Sequence, residues 1–399
     1  MPKIIILTKG TAGDIVPFLE MGSALQRRGN TVCLITHCRY EEAARRHGID
    51  FESLDNPQQC KEFLEDGELL ETAGGVLKFA SRHVFPRVGA EFALLEQHCR
   101  QPDTVVIARH MSSIAASLVC ERYDLPLATV FAFAAQAGAF PIWIELCRSV
   151  LSDPINKFRQ QLAGLPPVTD WHAWARASDI FLACWPDWFS SQTPDWPEST
   201  RHLGFLRSDA AESGDLPTEI EDLLGSSPAP ILITAGTSMW SLGSRFYEMA
   251  ADACRLVHRP GIMVCPHDRL LPSKVTDGII RYRQLPFASL MPRVAAVIHH
   301  GGSGTMIRAV ASEVPQLALP FGADRPDNAA RIERLGIGAQ IRPNDWKPAH
   351  IARELERVIG SKAMRHAISR VRERISSPVD LDSACATIEG LAPKTRRSK

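Results

Sequence analysis

No stretch of this sequence approaches the roughly 18 apolar residues that a membrane-spanning helix requires. Charge of one sign is also missing. Lys plus Arg and Asp plus Glu number 45 each, leaving no global field that favours nucleic acid or an anionic membrane. The ten cysteines, from Cys33 to Cys385, form no C-x-x-C pair and no Cys/His cluster at zinc spacing. They read as reduced core residues of a cytosolic chain, with no metal centre expected. Internal repeats and low-complexity segments are lacking as well. The N-terminal apolar run Lys3-Ile4-Ile5-Ile6-Leu7 is too short for a signal peptide, so the expected location is the cytoplasm, without stable membrane insertion.

What is present is a chain of 399 residues, the size of two domains. Its first fifty residues alternate between short apolar strands and helices. Ile4–Leu7 and Thr31–Ile35 read as strands, and Phe18–Arg28 and Glu41–His47 as helices closed by Gly29 and Gly48. Thr104–Ala108 and Leu127–Phe131 continue the series. All-apolar strands separated by helices imply α/β architecture, with a doubly wound parallel sheet covered on both faces. The rhythm restarts with strands at 230–234, 261–265, 295–299 and 316–319. Ser, Gly, Pro and acidic residues collect at 208–214 and 225–230, as in a linker. The expected organisation is a first domain over 1–206, a linker over 207–228, a second domain over 229–380, and a C-terminal helix with a basic tail over 381–399.

The most informative stretch runs from Ala296 to Thr305: a strand enters His299-His300-Gly301-Gly302-Ser303-Gly304-Thr305, a glycine-rich turn that opens into a helix. Such a turn lets backbone N–H groups and the helix start meet an anion, and the histidines add donors. A lone G-G-x-G would more often be an ordinary tight turn. Here a second strand end follows at Pro320, with Asp324 and Arg325 in the loop beyond it, where ligands of open parallel sheets bind. A Rossmann dehydrogenase is disfavoured, because no G-x-G-x-x-G follows the first strand.

Taken together, H-H-G-G-x-G-T, the following Pro315-Gln316 and Asp324…Asn328-Ala329 resemble the donor signature of family-one glycosyltransferases with the GT-B fold. The N-terminal Gly10…Gly13-Asp14…Pro17-Phe18 extends the likeness, and the spacing is closest to bacterial enzymes acting on lipids and antibiotics. Trp185-Pro186-Asp187-Trp188-Phe189, Asp195-Trp196-Pro197 and Leu203-Gly204-Phe205 are similar to rhamnosyltransferases of rhamnolipid synthesis. The resemblance implies two Rossmann-like domains facing a central cleft, with the acceptor on the first and a nucleotide sugar on the second. It assigns the diphosphate to His299, Gly302, Ser303, Gly304 and Thr305, with Thr237 and Ser238 opposite, and the sugar hydroxyls to Asp324. Arg325 stands where the family usually has glutamine. Ile307 stands where donors with ribose often meet a glutamate, which favours dTDP-sugar over UDP-sugar.

Inverting transfer needs a base for the acceptor proton. The resemblance points to Asp14, although an acid near a helix start is favourable without any catalysis. His110, after the strand 104–108, is the second candidate, as a partner for Asp14 or as a structural histidine. Phe85, Phe133 and Trp143 are candidates for an apolar acceptor pocket, with core packing as the plain alternative. Asp380-Leu381-Asp382 matches a metal-binding D-x-D, but its place at a helix start suits capping. The expected partners are a nucleotide-sugar donor and a small apolar acceptor, with no nucleic acid and no separate cofactor, in a monomer or homodimer. The rival functions are a sugar-nucleotide epimerase or hydrolase of the same fold, and a non-catalytic nucleotide-sugar-binding protein.

Overall fold

The computed structural model describes residues 1–101, 103–110, 114–206, 214–237, 243–272, 277–376 and 381–392. The basic C-terminal tail, Asp380 and Ser238 fall outside these. The chain divides into two compact units, one of Met1–Leu206 with Val379–Lys399, the other of Arg207–Pro378.

The first unit is built on strands β1 (Lys3–Leu7), β2 (Thr31–Thr36), β3 (Asp50–Ser53), β4 (Thr104–Arg109), β5 (Leu127–Phe131), β6 (Ile180–Ala183) and β7 (Thr200–His202). All pair in parallel, in the order β3-β2-β1-β4-β5-β6-β7. Residues Ile4 to Leu7 are fully buried, as expected of a strand with helices on both faces. The helix after β1 spans Ala12–Arg27, so it starts six residues before the expected Phe18. Pro17 lies inside the helix, in its second turn, where its missing N–H forgoes the bond to the Gly13 carbonyl. The start is fixed by Asp14, whose carboxylate accepts the Thr11 N–H at 2.9 Å.

Two of the tryptophans in the 185–196 stretch are packing. Trp185 and Trp196 are buried edge to face within the β6–β7 connection, and the Trp185 indole N–H donates to the Ser190 carbonyl at 3.0 Å. The C-terminal helix Leu381–Leu391 also belongs to this unit, where Ala384, Cys385 and Ile388 join the core. Arg28 grips Glu389 with two hydrogen bonds of 2.9 and 2.8 Å, and the Asn30 amide adds a third. The helix is therefore a part of the first unit rather than a separate appendage.

The second unit contains β8 (Ile231–Thr234), β9 (Gly261–Val264), β10 (Ile279–Tyr282), β11 (Ala296–His299), β12 (Gln316–Ala318) and β13 (Gly338–Gln340). These are parallel in the order β10-β9-β8-β11-β12-β13. The expected linker 207–228 differs from a plain connector, since it includes the helix Thr218–Leu224, whose Ile220 is buried in the core of the second unit. All ten cysteines are free, nine of them buried. Among the described residues no helix is long and apolar enough to cross a membrane.

Candidate active site

Each sheet reverses its strand order once, between β1 and β4 in the first unit and between β8 and β11 in the second. Ligands of doubly wound sheets bind beyond the carboxyl ends of the strands at such switch points. The sequence motifs lie at these two places.

In the first unit, Leu7 pairs with Ala108, so the chain beyond β1 and the last residue of β4 emerge side by side. Asp14 and Arg109 meet there, Oδ1 to guanidinium, at 2.6 Å, with side chains 14% and 13% exposed. Sequence reading missed this cation, because nothing local links residue 109 to residue 14; only the strand register does. Gly10 adopts φ +139°, and a Cβ there would lie 2.2 Å from Asp14 Oδ2, so the carboxylate rests directly on the glycine. The rest of the turn is pinned as well. The Thr8 hydroxyl donates to the Asp14 carbonyl at 2.8 Å, and buried Lys9 pairs with buried Glu91 at 2.7 Å.

His110 sits inside an aromatic cage of Phe131, Phe140 and Trp143, with ring centroids at 5.0, 5.5 and 5.4 Å. Burial, and secondarily the neighbouring Arg109 charge, push its pKa down to about 3. It is neutral at physiological pH and a poor proton acceptor. Of the acceptor candidates, Phe133 lies against the Arg109 guanidinium, 5.9 Å from centroid to charge, which puts it beside Asp14. Trp143 lines a cavity of about 380 Å³ that runs from Pro126 and Ser178, before β5 and β6, to His110. Phe85 belongs to the short turn Phe85–Arg87, whose Arg87 faces Asp55.

In the second unit, His299 pairs with Thr234, so the turns after β11 and β8 emerge together. His299 is fully buried, and its nitrogens are both committed inside the protein. Nδ1 accepts the Gly301 N–H at 3.1 Å, which leaves the proton on Nε2 to donate to Gln316 Oε1 at 2.9 Å. Burial pushes its pKa down to about 4. The diphosphate contact expected of His299 is therefore not available to its ring. The adjacent histidine is placed differently. A Cβ on Gly236 would lie 2.7 Å, and one on Gly302 2.5 Å, from the His300 ring, so this ring sits between the two turns. The ring also faces the Thr234 backbone, a hydrogen-bonding group beside it. Burial first, then the charge of Arg325, hold its pKa well below the usual value.

Ser303, Gly304 and Thr305 begin the helix Ser303–Ala311, so their N–H groups have no acceptor one turn earlier. Thr237 follows Gly236, and its carbonyl is paired with His267 at 2.9 Å. Asn328 joins Asp324 to the glycine turn, its amide donating to Asp324 Oδ2 at 2.7 Å and to the Gly301 carbonyl at 3.0 Å. Arg325 is buried, with one guanidinium nitrogen donating to the Phe321 carbonyl at 2.8 Å. Ile307 lies on the helix that begins at Ser303 and is only 3% exposed. More to the point, the helix Ser303–Ala311 contains no acid at all.

The fold and the two switch points define an α/β protein of two Rossmann-like units. Residues 4–92 match the glycosyltransferase family 28 N-terminal domain, and residues 262–387 the C-terminal domain of erythromycin biosynthesis protein CIII-like proteins. Over 97% of both chains it is 27% identical to an O-mycaminosyltylonolide 6-deoxyallosyltransferase of Streptomyces fradiae. The glycosyltransferase VinC in complex with dTDP shares its fold at a TM-score of 0.72 and 18% identity, covering 97% of this chain and 99% of that one. Arabidopsis thaliana UGT89C1, complexed with UDP, does so at a TM-score of 0.72 and 15% identity, covering 97% and 100%. The chain belongs to the family-one glycosyltransferases of GT-B fold and is a hexosyltransferase.

Proposed function

We propose that the protein is an inverting O-glycosyltransferase that moves a hexose, rhamnose-like, from a dTDP-sugar to a hydroxyl of a small apolar acceptor. The observation that carries the reading is the switch point of the second unit. There a glycine turn opens into a helix start, His300 and Arg325 lie beside it, and Asn328 ties Asp324 to the same turn. Backbone N–H groups, a polar ring and a guanidinium suit the negative charge that develops on a leaving nucleoside diphosphate. Asp324 accepts hydrogen bonds from hydroxyls of the donor sugar. His300, rather than His299, faces the diphosphate. The acid-free helix Ser303–Ala311 offers no carboxylate to a ribose diol, which favours the deoxyribose donor.

On the first unit, Asp14 takes the proton of the acceptor hydroxyl as its oxygen bonds to the anomeric carbon. The bond from that carbon to the diphosphate oxygen breaks, and the electron pair leaves with the diphosphate. Arg109 holds the carboxylate in place, and Phe133 and Trp143 receive the apolar body of the acceptor. With helix amides and Arg325 at the diphosphate, the reaction proceeds without a metal, in the cytoplasm, in a monomer or homodimer.

Incubation with dTDP-rhamnose, dTDP-glucose and UDP-glucose, each against a panel of hydroxylated lipids and aromatic alcohols, tests this by mass spectrometry. Product formed fastest from a dTDP donor, with inverted anomeric configuration by NMR, is the expected result. Donor hydrolysis unaffected by any acceptor would replace transferase by hydrolase, and faster transfer from UDP-glucose would overturn the nucleotide preference.

A further inference from the structure

Behind the Asp14 turn lies a buried pair that the reaction as described does not use. His37 follows β2, and Asp55 lies two residues beyond β3; their side chains are 1% and 0% exposed and meet at 2.6 Å, His37 Nδ1 to Asp55 Oδ2. On the other side of the ring, the Gly10 N–H donates to His37 Nε2 at 3.1 Å. This second contact fixes the tautomer. A nitrogen that accepts from an amide carries no proton, so the imidazole proton is on Nδ1 and is donated to Asp55. The second oxygen of Asp55 accepts the Cys38 N–H at 2.9 Å, Arg87 lies 3.7 Å away, and Phe63 covers the imidazole at a centroid distance of 4.5 Å. Each atom of the chain from Asp55 to Gly10 is thus held, and Gly10 is the residue on which the Asp14 carboxylate rests.

We propose that His37 and Asp55 are positioning residues for Asp14: Asp55 selects the imidazole tautomer whose Nε2 anchors the Gly10 amide, and that anchor sets the carboxylate. The proposal rests on the reading of Asp14 as the base. A cation is the rival occupant, because His37, Asp55 and Cys60 each offer one ligand atom within 4.8 Å of the others. Two facts favour the hydrogen-bonded relay. Both imidazole nitrogens already have partners, and the Arg87 guanidinium faces the carboxylate a cation would need.

Asp55→Asn is the sharpest perturbation, since it changes one atom type. If the asparagine oxygen keeps the Cys38 N–H, its amide nitrogen faces His37 Nδ1 and drives the proton to Nε2, where it opposes the Gly10 N–H. Nitrogen-15 NMR of the histidine-labelled full-length protein, with the His37 signal assigned by its loss in His37→Gln, should show the Nδ1–H form in the wild type and Nε2–H in Asp55→Asn. The carbon-13 signal of the Asp14 carboxyl should move with it. Transfer from a dTDP-sugar should fall at least tenfold in kcat, with the donor KM within twofold. His37→Gln, whose amide oxygen can accept from Gly10, should keep the Asp14 signal and most of the kcat, whereas His37→Leu should lose both. An Nε2–H wild type, equal behaviour of His37→Gln and His37→Leu, or zinc bound stoichiometrically to the purified protein would each overturn the proposal. If no donor is used by the wild type, the base assignment fails, while the carboxyl signal still decides whether the pair positions Asp14.

Discussion

Exchanging Asp14 for asparagine separates the chemical from the structural role of that residue. Asparagine retains an oxygen for the Thr11 N–H but removes the charge that faces Arg109 at 2.6 Å. Opposite unit charges about 4 Å apart attract by about 4 kcal/mol at the effective dielectric near a protein surface. Stranding one member of a buried pair costs about 3–5 kcal/mol. Side chains 14% and 13% exposed retain some access to water, which brings the expected loss to about 2–4 kcal/mol by either route. Arg109→Met should cost a similar amount, because it leaves Asp14 without its counter-charge. The double variant should lose less than the sum by about 2 kcal/mol, as residues in direct contact do. Urea denaturation of the four proteins measures this coupling. Activity should divide differently. Loss of a general base costs about 10²- to 10⁴-fold in rate, so Asp14→Asn should fall by that factor and Arg109→Met by less than about tenfold. An Asp14→Asn enzyme with near wild-type kcat, or an Arg109→Met enzyme as slow as Asp14→Asn, would refute the assignment of the base.

Gly10→Ala should be nearly as damaging to transfer as Asp14→Asn, because the new methyl group would occupy the space of the carboxylate, 2.2 Å from Oδ2. Its stability cost, about 1–3 kcal/mol for the strained backbone, is measurable by the same denaturation. Glu91→Ala leaves the Lys9 ammonium buried and unpaired, with an expected loss of about 3–5 kcal/mol, and the Lys9→Met/Glu91→Leu double variant should recover most of it. His110, with its pKa lowered to about 3, binds a proton in the unfolded chain before it does so in the fold. Its contribution is complete above about pH 6.5 and declines by about 1.4 kcal/mol per pH unit as pH falls towards 3. His110→Phe should therefore flatten the acid limb of the stability profile by that slope and leave transfer largely intact; a steep profile in the variant would contradict the neutral, caged histidine.

Much of the architecture was legible because it is written in local patterns. Buried parallel strands such as Ile4–Leu7 have no polar alternation, and the run from His299 to Thr305 combines a strand end, glycines and a helix start. What was not legible depends on which face of an element a residue occupies, or on pairing between distant strands. His299 and His300 are neighbours in sequence, yet the first faces Gln316 and the second Gly236. Sequence cannot rank them, since the distinction is the side of a strand end on which each ring falls. Arg109 becomes the partner of Asp14 only through the register of β1 and β4. Trp185 and Trp196 pack the β6–β7 connection, so they report the fold more than the sugar. The first helix begins at Ala12 rather than Phe18, with Pro17 inside it, because the contact from the Thr11 N–H to the Asp14 carboxylate sets its start.

The central claim is that a nucleoside diphosphate binds the glycine turn of the second unit beside His300. Thermal unfolding with dTDP and with UDP, on the wild type, His300→Ala and His299→Gln, tests it most directly. At a hundred times its Kd a ligand adds about 2.7 kcal/mol, or about 5–10 °C for a unit of this size. Such a shift is expected with dTDP, a smaller one with UDP, little or none in His300→Ala, and a retained shift in a less stable His299→Gln. A wild type that neither nucleotide shifts, or a His300→Ala protein shifted as much as the wild type, would contradict it.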